Sequence, residues 1–301
     1  MQGLVFWIVY PILWLISILP FRLFYAFSDL VFFLVYRVFG YRRKTVQQNL
    51  NLVFPEKDEK EIKRIEKDFY RHMCDMFLEM IKSISISEEE LQKRFVLKNE
   101  EYLRDLESRN KSLIVMCGHY ASYEWMIAIQ LLGLKFKSYG IYKRIRNTYF
   151  DNLVKRIRGR FDGILIHTYI ATETIIKNQE AGVLANYAMI ADQTPKLSKS
   201  RLWIDFLGIR VPVFDGSERL ARRLDMNVAY LHVEKVGRGF YEARLKPITE
   251  HAAQEPDHHI TRSFIGMLEE QIRKKPEYYL WTHKRWKHRN EPIPENAEII
   301  D

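Results

Sequence analysis

The stretch SLIVMCGHYASYEW, residues 112–125, decides how this chain is to be read. Five apolar residues, Leu113 to Cys117, are too few for a buried helix, and the β-branched pair Ile114-Val115 suits a strand covered on both faces. The run stops at Gly118, which permits a sharp turn, and an imidazole follows at once in His119. Open α/β sheets place their ligands at such strand ends. The continuation YASYEWMIAIQLL reads as a helix, with His119 in the turn and Glu124 in the first helical turns. Glu124 can then reach the ring, fix its tautomer and support the imidazolium formed when the ring takes a proton. Taken alone, an H-x4-E spacing is better explained by His119 as a helix cap and Glu124 paired with a nearby lysine.

Outward from this strand, short apolar runs alternate with amphipathic stretches. SLIVMC, FKSYGIY, GILIH, GVLANYAMI, VPVF, NVAYLHVEKV, YEARLKPI and YYLWTH read as strands. Helical patterns lie near 120–132, 148–158, 171–179, 216–224 and 258–274. Strands interleaved with helices imply an α/β fold with a central sheet flanked by helices. VGRG (236–239) reads as a hairpin turn, which makes the sheet mixed. Upstream, the charged segment ending in FYRHMCDMFLEMIK spaces Ile62, Ile65, Phe69, Met73, Met76, Phe77 and Met80 as one helix face, and core packing accounts for them. There is no internal repeat and no low-complexity linker.

The N-terminus has another character. No side-chain charge precedes Arg22, a length sufficient for a bilayer core of roughly 30 Å. Without a basic leader or a small-x-small cleavage site, this stretch reads as a membrane-anchor helix kinked at Pro11, not as a cleaved signal. LVFFLVY (30–36) is too short to span and reads as interfacial. The expected division is an anchor and interfacial segment over 1–40 and a catalytic domain over 41–301. Arg42-Arg43-Lys44 would keep that domain in the cytoplasm. A formal net charge of +9 favours an anionic partner, and Cys74 and Cys117 form neither a metal-binding nor a redox spacing.

No zinc-binding H-E-x-x-H, no G-x-S-x-G nucleophile elbow and no phosphate-binding glycine loop is present. Cys117, in a buried strand, reads as core and not as a nucleophile. GHYASYEW does resemble the H-x4-D/E motif of the glycerolipid acyltransferases. RRKTVQQNLNLVFPE, GIYKRIRNTYFDNLVKRIRGR, ADQTPK and YYLWTHKRWKHR resemble, in order, segments of the late (secondary) acyltransferases of lipid A biosynthesis. The resemblance spans nearly the whole chain. It implies acyl transfer from acyl-acyl carrier protein, in preference to acyl-CoA, to a hydroxyl of a phosphorylated glycolipid, the lipid A precursor. It implies no cofactor and no metal, and a bacterial inner-membrane protein facing the cytoplasm. His119 and Glu124 match the family's catalytic pair, Arg158 its site arginine (with Arg156 in reserve) and Asp192 its aspartate after a strand, with Gln193 beside it. Where many members read Tyr-Arg-Pro, this chain reads Tyr142-Lys143-Arg144. Lys143, Arg144, Arg158 and Arg160 offer charge for acceptor phosphates, and Asp192 is a candidate to hold Arg158.

The chemistry implied agrees with the residues. A thioester is already activated, so a base for the acceptor hydroxyl suffices and no acyl-enzyme is needed. Backbone N–H groups around Gly118 or the following helix N-terminus would face the tetrahedral oxyanion. In WTHKRWKHR, Trp281 and His283 would finish a strand near the site, with Lys284, Arg285 and Lys287 facing anionic lipid rather than nucleic acid. SRLWIDFLGIRVPVFDG (200–216) reads as a partly loop-like segment near the acyl chain. Two alternatives remain at this point: O-acylation of another membrane lipid, and a non-catalytic lipid-binding protein.

Overall fold

A computed structural model describes residues 2–300; Met1 and Asp301, the outer limits of the two expected domains, lie outside the described residues. The strands are β1 (Phe95–Leu97), β2 (Leu113–Cys117), β3 (Lys137–Tyr142), β4 (Ile164–His167), β5 (Ala185–Ile190), β6 (Leu202–Phe206), β7 (Ile209–Val213), β8 (Asn227–Gly237), β9 (Phe240–Thr249) and β10 (Glu298–Ile300). The helices are α1 (Gln2–Ile18), α2 (Phe21–Phe32), α3 (Arg43–Val53), α4 (Glu59–Lys82), α5 (Glu88–Arg94), α6 (Glu100–Ser108), α7 (Thr148–Arg158), α8 (Ala171–Glu180), α9 (Gly216–Leu224) and α10 (His259–Lys274).

β2 is buried along its whole length, as its unbroken apolar run requires. It sits at the centre of a seven-stranded sheet ordered β1-β9-β8-β2-β5-β3-β4. Each neighbouring pair is parallel except β8 and β9, joined as the expected hairpin with Gly239 at φ +74. The sheet is therefore mixed and flanked by helices. In the ladder Cys117 lies opposite Ile190, so the residues two beyond each strand, His119 and Asp192, emerge side by side. Gly118 has a packing reason: a Cβ there would lie 2.7 Å from Leu268 Cδ1 of α10.

Three expectations are revised. The segment after His119 is not helical at first; residues 120–124 bend, Ala121 is left-handed at φ +48, and a 3-10 helix begins only at Trp125. YYLWTH is not a strand: Tyr279 makes a single bridge to Tyr120, and the chain then turns tightly. Residues 202–213 form the hairpin of β6 and β7 in a second sheet, completed by β10 alongside β6. Its turn, Leu207-Gly208, has φ +55 and +80, which suits two short antiparallel strands.

At the N-terminus, α1 runs through Pro11 but ends at Ile18, and the chain breaks before Pro20. Seventeen residues span about 26 Å. Among the described residues no single helix is long and apolar enough to cross a membrane; only a bent pair, Phe21–Val38 with Arg43–Val53, passes on length and composition. A transmembrane anchor is thus not found. Instead, α1 is stitched to α4 by Lys82 Nζ, which donates to Ser17 O and Leu19 O at 2.6 Å each. α2 is tied down by Ser28 Oγ donating to Asp75 and by Tyr25 Oη donating to Glu79. The outer faces of this N-terminal region are apolar and bare: Leu4, Trp7, Ile8 and Phe39 are each more than half exposed.

Candidate active site

The parallel register of β2 and β5 brings His119 and Asp192 together. Asp192, almost fully buried, accepts from the backbone N–H of His119 at 2.9 Å and lies 2.6 Å from its Nδ1. A carboxylate acceptor there fixes the proton on Nδ1 and leaves Nε2 as the lone-pair nitrogen. The side-chain amide of Gln193 reaches Nε2 at 3.2 Å and donates to it in this tautomer. Burial disfavours the imidazolium, but the charge and hydrogen bond of Asp192 outweigh it and raise the His119 pKa above its ordinary value. Burial likewise works against an ionised Asp192, yet His119, its backbone N–H and Arg285 hold that pKa below the usual carboxylate value. The ring of Tyr123 stands edge-on to the imidazole, centroids 4.9 Å apart.

The carboxylate expected to orient His119 has another partner. Glu124 takes both prongs of Arg158, from Nε at 2.9 Å and Nη2 at 2.7 Å. Because residues 120–124 bend instead of winding into a helix, Glu124 is carried to the C-terminal end of α7, where Arg158 lies in the last turn. The anticipated pairing of Asp192 with Arg158 is likewise replaced by Asp192 with His119. Arg156, the reserve candidate, is exposed and approaches the ring of Tyr10 instead. Arg160 donates to Ser83 O at 3.0 Å. Lys143 and Arg144 lie exposed on the loop between β3 and α7.

Distant segments close over the site. Leu280 N donates to His119 O, Ala121 N to Tyr278 O, and Thr194 Oγ1 to Arg285 O. Asn49 of α3 and Arg42 at its N-cap donate to the carbonyls of Trp281, Thr282 and His283. Thr194 N donates to His283 Nε2, whose pKa burial pushes down to about 4, so that the ring is neutral and can accept. The N–H groups nearest Gly118 are already used: His119 N by Asp192, Tyr120 N by Gly118 O and Ala121 N by Tyr278 O. These three N–H groups are therefore not free for an oxyanion, and the helix that follows starts later than expected, with its N-cap at Glu124.

A mainly apolar cavity, with about 860 Å³ of empty space in part open to solvent, begins at Tyr123, Glu124 and Arg158 and runs along β3, β4 and β5. Ile127, Tyr139, Ile141, Leu165 and Ala188 are among its walls. Among the described residues no group of three or more His, Cys, Asp or Glu side chains is placed to hold a metal.

The model of the family described as "Bacterial lipid A biosynthesis acyltransferase" matches residues 1–288. The chain belongs to that family. It is 23% identical over 292 residues to the lipid A biosynthesis lauroyltransferase of Escherichia coli K12, covering 96% of this chain and 93% of that protein. It is also 23% identical over 256 residues to lipid A biosynthesis acyltransferase 2 of Shigella flexneri, covering 84% and 80%. The protein is therefore an acyltransferase of lipid A biosynthesis. For this acyltransferase the sequence points to the polar residues at the site but misassigns their pairing. One signal for the correct pair was available: His119 and Asp192 each stand two residues past an apolar strand run, so parallel neighbours would align them. Nothing local marks Tyr123 as a neighbour of that pair, whereas His283, expected near the site, is found there.

Proposed function

We propose that the protein transfers a fatty acyl chain from a thioester donor, acyl-acyl carrier protein in preference to acyl-CoA, to a hydroxyl of a lipid A precursor, with His119 as general base. The observation that carries this reading is the Asp192–His119 pair, packed on Tyr123, next to a mainly apolar cavity that Tyr123, Glu124 and Arg158 help to line. His119 Nε2 takes the proton as the acceptor oxygen attacks the thioester carbonyl. The tetrahedral intermediate then collapses, the C–S bond breaks, and the imidazolium returns the proton to the leaving thiolate. Asp192 holds the tautomer and offsets the imidazolium charge. The acceptor hydroxyl displaces the amide of Gln193 from Nε2.

The cavity accommodates the acyl chain, which its apolar walls free from water. Arg158 stands where chain and reacting carbonyl meet. With Nε and Nη2 held by Glu124, it has Nη1 left to donate to substrate oxygen, and the exposed Lys143 and Arg144 are available for acceptor phosphates. The bare apolar face of α1 and its neighbours seats residues 1–40 on the membrane, at the level where the lipid substrate lies, with the body on the cytoplasmic side. The test is purified His119→Ala: it should fold, remain membrane-associated and lose transfer by about 10²–10⁴. Transfer near the wild-type rate would overturn the mechanism.

A further inference from the structure

Arg285 lies inside the protein, not on a lipid-facing surface: it is 1% exposed. Its Nη1 donates to Pro212 O at 3.0 Å and stands 3.5 Å from Thr194 Oγ1, and its guanidinium carbon is 5.1 Å from the ring centre of Phe206. Nε and Nη2 have no hydrogen-bond partner, and no carboxylate lies within ion-pair distance among the described residues. An interior guanidinium in that condition is costly. Arg158 has Glu124 and Arg238 has Asp75, and buried Lys82, which has no carboxylate, has the carbonyls of Ser17 and Leu19. Arg285 has instead the loop Asp192-Gln193-Thr194, bonded to it at both ends of its residue: Thr194 Oγ1 to its backbone O at 2.6 Å, and its own Nη1 toward the same hydroxyl.

The proton inventory of the site shows why a cation belongs there. A base must rest as neutral imidazole beside ionised Asp192, so in that state His119 brings no positive charge to a carboxylate that is 1% exposed. We propose that Arg285 is a positioning residue for acyl transfer, a fixed counter-cation that keeps Asp192 ionised while His119 is neutral and so sets the pH at which the base is available. The proposal rests on His119 being the base. The titratable groups that face the pair are Cys117 from β2, Tyr230 from β8 (its phenol pushed far up by burial and so neutral), Tyr123, Glu124 and Arg158 beside the cavity, and Tyr279, His283 and Arg285 from the C-terminal segment. Glu124 and Arg158 largely cancel through their two-pronged pair, and Cys117, Tyr123, Tyr279 and His283 are neutral near pH 7. Arg285 is then the uncompensated cation acting on Asp192, and the mutual attraction is felt by both groups.

The sign follows. With Arg285 present, protonating His119 creates a second cation near Asp192, so the imidazolium is disfavoured. Arg285→Met should raise the His119 pKa and move the acid limb of kcat/KM to higher pH by on the order of one unit. Activity would fall most below neutral pH and approach wild type in alkali. Arg285→Lys retains the charge and should keep the limb near its wild-type position. The experiment is an NMR titration of the His119 ring in the full-length protein, alongside pH profiles of transfer, for wild type, Arg285→Met, Arg285→Lys and His119→Ala. If Arg285→Met does not fold, Arg285→Gln, which can keep a donor for Pro212 O, carries the same expectation. An unmoved His119 titration in the neutral variants, with transfer lowered equally at every pH, overturns the proposal and leaves the base in place. Active His119→Ala would instead overturn the base reading, whatever Arg285 does.

Discussion

Asp192→Asn tests the central pair most sharply, because the shape stays and one atom changes its hydrogen-bond sense. Asp192 accepts two bonds from one residue, the backbone N–H of His119 at 2.9 Å and Nδ1 at 2.6 Å. Asparagine has one oxygen and one NH₂ to offer the same two groups. The backbone N–H cannot change sense, so the oxygen takes it and the NH₂ faces Nδ1. Nδ1 must then accept, and the ring proton moves to Nε2, where the base needs a lone pair. Restoring the active tautomer would set two buried donors against each other. At about 1–3 kcal/mol for each of the two unsatisfied donors, that is roughly 2–6 kcal/mol, or about one and a half to four powers of ten in rate. Thermal stability should fall far less, since both contacts survive in altered form. The assay is acyl transfer at the pH optimum, with the melting temperature and ¹⁵N shifts of the His119 ring on the same samples. Folded Asp192→Asn with transfer within tenfold of wild type, or with the proton still on Nδ1, would refute the reasoning.

Other expectations follow from the same geometry. Glu124→Gln should leave the His119 tautomer unchanged but weaken the clasp on a partly exposed Arg158, lowering stability by about 1–3 kcal/mol; a tautomer change by ¹⁵N NMR would show that Glu124 also governs the ring. Transfer should decline as pH falls through the His119 pKa, which lies above the ordinary 6.5, because the protonated ring cannot act as base; a flat kcat/KM profile between pH 5 and 8 would argue against it. Ala188→Leu, on the cavity wall, should shift the transferred chain to shorter lengths by mass spectrometry of the product, and an unchanged length distribution would remove the chain from this cavity. Deleting residues 2–18 should weaken membrane association and leave a residual binding that falls with salt; tight binding in high salt would place the main lipid contact elsewhere.

The strands near the site were legible because their signal is local. Leu113–Cys117 is short, apolar and wholly buried, and Ala185–Ile190 is short, largely apolar and half-buried; such runs bounded by turns leave a trace in any context. The segment 119–125 was not, because distant partners decide its path. Tyr120 bridges to Tyr279, Ala121 is held left-handed with its N–H on Tyr278 O, and Trp125 Nε1 is pinned by Glu79 O and Ser83 Oγ of the α4 end. None of these partners lies within 35 residues of the segment, so helical periodicity in YASYEWMIAIQLL could not reveal that winding starts only at Trp125. The tail misled for a related reason. WTHKRWKHR has the composition of an exposed basic face, yet Trp281 and Trp286 stack in the core and draw Arg285 in with them.

That late start of the 3-10 helix also explains why two carboxylates with similar sequence credentials have different work. Asp192 is delivered by the sheet. Its distance from His119 is set by the ladder between β2 and β5, and the bond to the backbone of His119 fixes it further. Glu124 is delivered by a bent segment and finds Arg158 at the end of α7, with both its oxygens engaged. A carboxylate so occupied has little left to offer an imidazole, and an arginine so neutralised has less pull on a phosphate than a free one. On the proposed mechanism the H-x4-E spacing therefore marks the base and a wall of the cavity beside it, and the acid that serves that base stands just past β5, 73 residues further along the chain.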